Sequence, residues 1–166
     1  AVNGAALTTL AGEAEALKCV AQIFEAKGQR VSVMDVSHAF HSPLLDPILD
    51  EFESIASRVT YKPISCAVVS NLTGDAFEIG HCFDARYWRE HMRQPVQFLK
   101  SIQSMHQAGC GIFLELGPGN GNAAMGRRCV EDNAIEWLSS LRKGHDDWRV
   151  LSQSIATLFA RGATIR

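Results

Sequence analysis

The chain has 166 residues, of which 46% are hydrophobic and 20% are charged, proportions typical of a globular domain with a buried core. Its 16 basic and 18 acidic residues give a formal net charge of -2 with no long run of one sign, which argues against a nucleic-acid partner. No apolar stretch approaches the ~20 residues that a membrane helix needs, and the first residues do not form a signal-peptide pattern. We therefore expect a cytoplasmic protein without a membrane partner.

The cysteines are odd in number, widely spaced and without a C-x-x-C pair. This pattern argues against a disulfide framework and against a zinc site. The five cysteines are Cys19, Cys66, Cys82, Cys110 and Cys129.

The start of the chain predicts two strands, a helix and a third strand. Residues 1–4 are typical of a strand that ends in a turn, and residues 6–11 of a second short strand. Apolar positions at helical spacing predict a helix over 13–27, which Gly28 is suited to end. Residues 30–36 alternate apolar and polar side chains, as a strand does.

The middle of the chain predicts three helices and a buried strand. Residues 64–70 are mostly apolar and are followed by the turn signal N-L-T-G over 71–74. Two helices are predicted over 83–92 and 95–108, with Pro95 in the first turn of the second. An earlier helix is predicted after Pro43 by the apolar face Leu45, Ile48, Leu49, Phe52 and Ile55.

The last third predicts an apolar strand over 111–116, a glycine-rich loop over 117–121 and a short helix to about Val130. A strand over 135–138 follows. Strands that alternate with helices indicate an α/β architecture with a largely parallel sheet. A final helix is predicted by the apolar positions Trp148, Leu151, Ile155, Leu158 and Phe159.

Two histidines, His38 and His41, lie at a predicted strand-to-helix junction, in the sequence V-S-H-A-F-H-S-P-L-L over 36–45. Parallel sheets place functional loops at the carboxyl ends of their strands. Because the pKa of histidine is close to neutral, it suits a general base. Position alone leaves a surface or capping role open for both residues.

The block over 36–45 closely resembles the histidine motif of acyl-CoA:acyl-carrier-protein transacylases, in the form found in type I polyketide synthases. The resemblance covers essentially the whole chain and implies the C-terminal part of a malonyl-type acyltransferase domain. Further segments resemble the family in the same order, namely residues 1–4, 69–74, 87–91, 93–98, 114–119 and 140–142.

The resemblance implies an α/β fold that joins the C-terminal part of a hydrolase-like parallel-sheet subdomain to part of a small ferredoxin-like subdomain. Residues 1–36 would belong to the small subdomain and residues 37–143 to the hydrolase-like one. Residues 144–166 would form the C-terminal helix and the start of the linker that follows the domain. The large sheet would then have exposed apolar edges or a partner segment that completes it.

The resemblance also implies roles for individual residues. His41 matches the catalytic histidine, the general base that takes the proton of a serine nucleophile and later helps the carrier thiol attack. A backbone carbonyl orients this imidazole in the family, and His91 matches its position. His38, Ala39 and Phe40 match a substrate-binding signature whose aromatic third residue accompanies malonyl selection. Phe40 would fill the volume of a 2-methyl group, worth ~1–3 kcal/mol, although a plain core aromatic is the alternative.

The segment F-L-E-L-G-P-G-N-G over 113–121 has a second interpretation. It also resembles the first motif of S-adenosylmethionine-dependent methyltransferases and, more loosely, a dinucleotide-binding turn. Such a domain would have most of its sheet after the motif, whereas only residues 122–166 follow here. The transacylase resemblance implies a structural role near the active-site wall instead.

The family presents its serine as G-H-S-x-G, and no G-x-S-x-G occurs in the 166 residues. Ser42 is adjacent to His41 and belongs to the histidine motif, so we do not expect it to replace that serine. The resemblance therefore implies that the N-terminal half of the domain is a partner. We expect the isolated chain to be inactive.

With that half, the domain would transfer malonyl from malonyl-CoA to the phosphopantetheine thiol of an acyl carrier protein. The coenzyme A thioester and the carrier protein are then its reaction partners, and no bound cofactor or metal is expected. A non-catalytic scaffold, or a carrier-protein-docking piece derived from such a domain, is the alternative from another functional class.

Overall fold

The computed structural model describes residues 1–165 as a mixed α/β chain, which confirms the expected fold class. Residues Ala1–Ser101 form one compact unit, and a second unit begins at Ile102. Division of the chain after residues 36 and 143 stays a prediction. Within residues 1–165, no helix combines the length and the apolar character needed to cross a membrane.

Six short strands, six α-helices and one 3-10 helix make up the described residues. In chain order these are β1 (Val2–Gly4), β2 (Leu7–Thr8), α1 (Ala14–Ala26), the 3-10 helix (Pro43–Ile48), α2 (Leu49–Ala56), β3 (Val68–Val69), β4 (Ala76–Phe77), α3 (Ala85–Arg93), α4 (Phe98–Gln107), β5 (Ile112–Glu115), α5 (Gly121–Gly126), β6 (Glu136–Ser139) and α6 (Asp147–Ala160).

The start of the first unit follows the sequence prediction. Strands β1 and β2 pair antiparallel with Val2 opposite Thr8, and α1 lies within one residue of its predicted bounds at each end. Gly28 has a φ of 73° and donates its N–H to the carbonyl of Glu25 at 2.8 Å. Because a Cβ is strained in this left-handed conformation, glycine is suited to end the helix.

Two strand predictions are wrong: the first strand does not form, and the second is much shorter than predicted. Residues 30–36 form no strand, since none of the strands in residues 1–165 pairs with them, and Val33 is 92% exposed. An alternating pattern provides an apolar face, but the hydrogen bonds must come from a neighbouring strand. The buried strand predicted over 64–70 shrinks to the half-buried β3, which pairs antiparallel with β4.

The helix predicted after Pro43 begins as a 3-10 helix and becomes α-helical only at Leu49. Pro47 lies inside the 3-10 helix and has no N–H for an α-helical hydrogen bond, which accounts for the change. The side-chain oxygen of Ser42 accepts from the N–H of Leu44 at 3.3 Å and caps the first turn. The cap fixes where the chain leaves the histidine motif.

The second unit contains a parallel strand pair, β5 and β6, in which Phe113 lies opposite Trp137. The two rings stack with their centroids 4.5 Å apart. The apolar side chain of Leu116, just after β5, is 78% exposed. The predicted parallel pairing is limited to these two strands within the described residues, because the other two sheets are antiparallel hairpins.

Gly126, at the end of α5, lies against the ring of Trp137, and a Cβ at this position would overlap the ring carbons. We expect Gly126→Ala to lower the free energy of unfolding by ~1–3 kcal/mol, because the ring must shift to admit the methyl group. Urea denaturation of the 166-residue chain measures this. Gly121→Ala in the same helix is the matched control, since a Cβ there meets open space. Equal midpoints for the two variants would contradict the packing.

Candidate active site

His41 has an unusual backbone conformation. Its φ of 61° is the one positive value at a non-glycine residue among residues 1–165. This left-handed region is uncommon for residues with a Cβ, although histidine is more tolerant of it than most. The backbone N–H of His41 donates to the carbonyl of Met92 at 3.2 Å. The end of α3 therefore holds the strained residue in place.

The backbone carbonyl of Gln94 orients the imidazole of His41, with 2.8 Å between Nδ1 and the oxygen. Because a carbonyl oxygen can only accept, Nδ1 carries the proton. Nε2 then has the free lone pair and can accept a proton. The prediction that His91 supplies this carbonyl is wrong. His91 lies three residues earlier, inside α3, whereas the carbonyl that reaches Nδ1 belongs to Gln94, just beyond the helix end.

Gln94 turns away from the helix because a proline follows it. The residue before a proline is driven to extended backbone, and Gln94 has φ −82° and ψ 155°. The prediction that Pro95 begins the next helix is also wrong, since α4 starts only at Phe98. The Gln94-Pro95 pair is thus the signal in the sequence that points to this carbonyl.

The stretch Gln94–Gln97, called the carbonyl segment below, is tied to two other parts of the first unit. The N–H of Val2 in β1 donates to the carbonyl of Val96 at 2.8 Å. The N–H of Gln97 donates to the carbonyl of Asn71, in the turn after β3, at 2.7 Å. These backbone bonds fix the position of the oxygen that orients His41.

Ion pairs hold the helices that follow His41 against α3. Arg89 pairs with Asp50 and Glu53 of α2 at 2.8 and 2.7 Å, and Arg93 pairs with Asp46 of the 3-10 helix. The hydrogen bond to Glu53 is the main cause that raises the pKa of Arg89. Ion pairs that remain partly exposed, as these do, contribute little to stability. Their effect here is on geometry, because they connect the helices that follow His41 to helix α3, which ends just before Gln94.

The turn after β3 is tied to α3 through Ser70, which is only 1% exposed. Its Oγ lies 2.7 Å from the hydroxyl of Tyr87 and accepts from the N–H of Leu72 at 3.1 Å. Gly74, with a φ of 77°, closes the turn by donating its N–H to the carbonyl of Ser70 at 2.6 Å. Residues 69–74, one of the segments that resemble the family, therefore have a structural role: they support α3 and the carbonyl segment.

The side chain of His91 lies against His41, with ring centroids 6.0 Å apart and planes at 76°. His91 is half-buried. Burial lowers its pKa from the usual 6.5, and the charge that His41 can carry lowers that pKa further. The site thus contains two neighbouring imidazoles, and the pKa of His91 is lowered from its usual value.

Of the predicted substrate-binding residues, His38 and Phe40 are exposed and Ala39 is half-buried. Phe40 is 51% exposed and lies 6.1 Å from the His38 ring, which contradicts a core role within the described residues. Ser42 is 1% exposed, and its hydroxyl donates to the carbonyl of Ala39 at 2.7 Å. Its hydroxyl is buried and bonded, which supports the expectation that Ser42 does not act as a nucleophile.

Side chains of this chain itself close the glycine-rich loop after β5. Glu115 Oε2 accepts from the N–H of Ala123 in α5 at 2.8 Å. The hydroxyl of Ser140 accepts from the N–H of Gly117 at 2.9 Å. A carboxylate at this helix start occupies the place of a phosphate and would repel one. This argues against a dinucleotide-binding turn, and the two hydrogen bonds give the loop a structural role. S-adenosylmethionine contains no phosphate, so the contact does not test the methyltransferase interpretation.

Comparison with known families and proteins gives a consistent result. Residues 1–164 match the family model described as acyl transferase domain. Mycoketide-CoA synthase of Mycobacterium tuberculosis is 39% identical over 163 residues, which are 98% of this chain and 4% of that protein. Polyketide synthase GfsA of Streptomyces halstedii is 32% identical over 168 residues, which are 99% of this chain and 2% of that protein.

Solved structures agree. The acyltransferase domain from the second module of the salinomycin polyketide synthase is 37% identical with a TM-score of 0.84, over 92% of this chain and 36% of that one. A malonyl CoA-acyl carrier protein transacylase from Clostridium perfringens shares the fold at 22% identity and a TM-score of 0.77, over 90% of this chain and 45% of that one. The chain thus spans less than half of either solved protein.

The two causes that lower the pKa of His91 can be separated by mutation. Because the charge of His41 is the smaller cause, His41→Gln should raise the pKa of His91 only part of the way to 6.5. An NMR titration of the imidazole resonances measures this, and His38→Gln is the matched control without effect on His91. The folded state binds the imidazole proton of His91 less tightly than the unfolded state does. Protonation of His91 should therefore lower the free energy of unfolding as the pH falls through 6.5. An unchanged pKa in His41→Gln would contradict the coupling.

Proposed function

The chain belongs to the acyl transferase domain family, and from this membership we propose that it carries the general base and the acyl-selecting residues of a polyketide synthase acyltransferase. The complete domain transfers malonyl from malonyl-CoA to the phosphopantetheine thiol of an acyl carrier protein. One observation carries the proposal: the hydrogen bond from His41 Nδ1 to the carbonyl of Gln94, which leaves Nε2 as the proton acceptor.

In the first half-reaction, His41 activates the serine that the rest of the domain supplies. Nε2 takes the hydroxyl proton as the serine oxygen bonds to the thioester carbonyl carbon. The carbon–sulfur bond then breaks, and the coenzyme A thiolate leaves and takes a proton from the imidazolium. The carbonyl of Gln94 accepts a hydrogen bond from Nδ1 throughout, so the ring keeps its orientation while Nε2 gains and loses the proton.

In the second half-reaction, the same imidazole serves the carrier protein. Nε2 takes the proton of the phosphopantetheine thiol, and the sulfur attacks the carbonyl carbon of the malonyl ester. The bond between that carbon and the serine oxygen breaks, and the serine oxygen recovers the proton from His41. Enzyme and imidazole return to their starting state.

Phe40 is the residue that selects the acyl group in this proposal. It lies one position before His41, and its half-exposed ring is available to a substrate. An aromatic ring beside the reacting malonyl would occupy the space of a 2-methyl group, and His38 packs against that ring. The discrimination is worth ~1–3 kcal/mol, as for one methylene in a pocket.

The 166 residues alone do not form a malonyl ester in this proposal, because they contain no G-x-S-x-G and the hydroxyl of Ser42 is already bonded. The N-terminal half of the domain is then the partner that completes the site. A scaffold or carrier-protein-docking piece remains the second candidate. Binding of the carrier protein without turnover in the completed domain would favour it.

Replacing His41 by asparagine separates chemistry from backbone strain, because asparagine also tolerates the left-handed conformation. In the complete domain, His41→Asn should lower kcat for malonyl transfer by about 10³-fold or more, as loss of a general base and nucleophile activator does. Transfer of radiolabelled malonyl to the carrier protein measures this. His145→Asn is the matched control at an exposed histidine. In a separate measurement, the intact mass of the 166-residue chain after incubation with malonyl-CoA should show no malonyl adduct. Normal turnover of His41→Asn would refute the assignment.

The role of Phe40 predicts a change in substrate preference. Phe40→Ser in the complete domain should reduce the ratio of kcat/KM for malonyl-CoA to that for methylmalonyl-CoA by about tenfold or more, because space opens for the methyl group. Competition between the two thioesters measures the ratio. Leu44→Ser, at an exposed apolar residue of the 3-10 helix, is the control. An unchanged ratio in Phe40→Ser would show that selection lies elsewhere.

A further inference from the structure

The ring of His91 takes part in a row of aromatic contacts along α3. It lies 6.0 Å from the ring of His41 at an interplanar angle of 76°, 5.7 Å from Trp88 and 6.0 Å from Tyr87. Its nitrogens make no hydrogen bond among residues 1–165. The contact with His41 is therefore one of ring packing, in the edge-to-face arrangement that aromatic pairs prefer.

This contact restricts a motion that the hydrogen bond leaves open. The bond from Nδ1 to the carbonyl of Gln94 fixes one atom of the His41 ring, but the ring can still tilt about that bond. A second ring at right angles blocks the tilt on one side. Because burial lowers the pKa of His91, its ring is neutral near pH 7 and places no charge beside the imidazolium that forms on His41.

The row is anchored at its far end. The hydroxyl of Tyr87 lies 2.7 Å from the Oγ of Ser70, a residue that is 1% exposed. The ring of Tyr87 also contacts Phe83, with centroids 4.3 Å apart. His91 consequently packs between His41 and a ring whose position is fixed by a part-buried hydrogen bond.

We propose that His91 is a positioning residue, whose ring packs against the His41 imidazole and keeps Nε2 directed at the proton it must accept. The inference rests on the proposed role of His41 as general base. It assigns a role to the side chain of His91, whereas the sequence pointed only to its backbone carbonyl. Small displacements of a catalytic group are costly in rate, so a contact that limits tilt has a measurable effect.

The first test measures the His41 ring directly in the 166-residue chain. The exchange rate of the Nδ1 proton with water, followed by nitrogen-edited NMR, reports how often its hydrogen bond opens. His91→Ala should raise this rate about two- to tenfold, the range for loss of one aromatic pair, and His91→Phe should keep the rate near that of the parent chain. His81→Ala is the matched control, because His81 packs on Phe77 and Phe83 and not on His41.

The second test measures turnover in the complete domain. His91→Ala should lower kcat about 10–100-fold with little change in KM, since the misplaced group acts only in the chemical step. His91→Phe should restore most of kcat, because a flat ring is again present. His91→Gln provides a second variant without a ring if alanine impairs folding, and the unfolding midpoint of each variant is recorded beside its rate.

The proposal is overturned if neither His91→Ala nor His91→Gln changes proton exchange at His41. It is also overturned if His91→Phe is as impaired as His91→Ala, because the ring would then not be the active element. Failure of the proposed function gives a different pattern. His41→Asn would then keep normal turnover, while proton exchange at Nδ1 would still respond to the ring at position 91.

Discussion

The hydrogen bond between His41 and the carbonyl of Gln94 is the constraint on which the candidate site depends. It selects the tautomer of the imidazole, and so decides which nitrogen can act as a base. Much of the first unit serves this bond. The ion pairs of Arg89 and Arg93 hold the chain on either side of it, and the turn around Ser70 supports the helix that ends beside it.

Much of the structure could be predicted from local sequence because its causes are local. Helix α1 follows from apolar spacing and a glycine stop, and α6 begins at Asp147, just after Asp146, whose side chain caps the first turn. Strands β5 and β6 can be predicted because short apolar runs are flanked by turns. His41 could be singled out because its neighbours in the chain form a recognisable motif, whatever the rest of the fold does.

The parts that failed depend on distant residues. Residues 30–36 have the alternation of a strand, but a strand also needs a partner, which local alternation cannot supply. The exposure of Phe40 depends on which side chains pack around it, and these come from other parts of the chain. The local sequence is therefore equally consistent with a core role. The sequence predicts the orienting carbonyl three residues too early, at His91, because the end of α3 decides which oxygen reaches Nδ1, and helix ends are the least certain part of a pattern.

The carbonyl segment makes all its connecting bonds through main-chain atoms, at Gln94, Val96 and Gln97. Side chains at these positions can therefore change during divergence without loss of the connections. Length cannot, because one residue of extended chain covers about 3.3 Å, more than a hydrogen bond can absorb. Descendants of this chain should thus keep Pro95, which holds Gln94 extended, but tolerate substitutions at the other three positions of the segment. Insertions and deletions should be removed by selection, so the spacing between the end of α3 and the start of α4 should outlast most of the residues that now fill it.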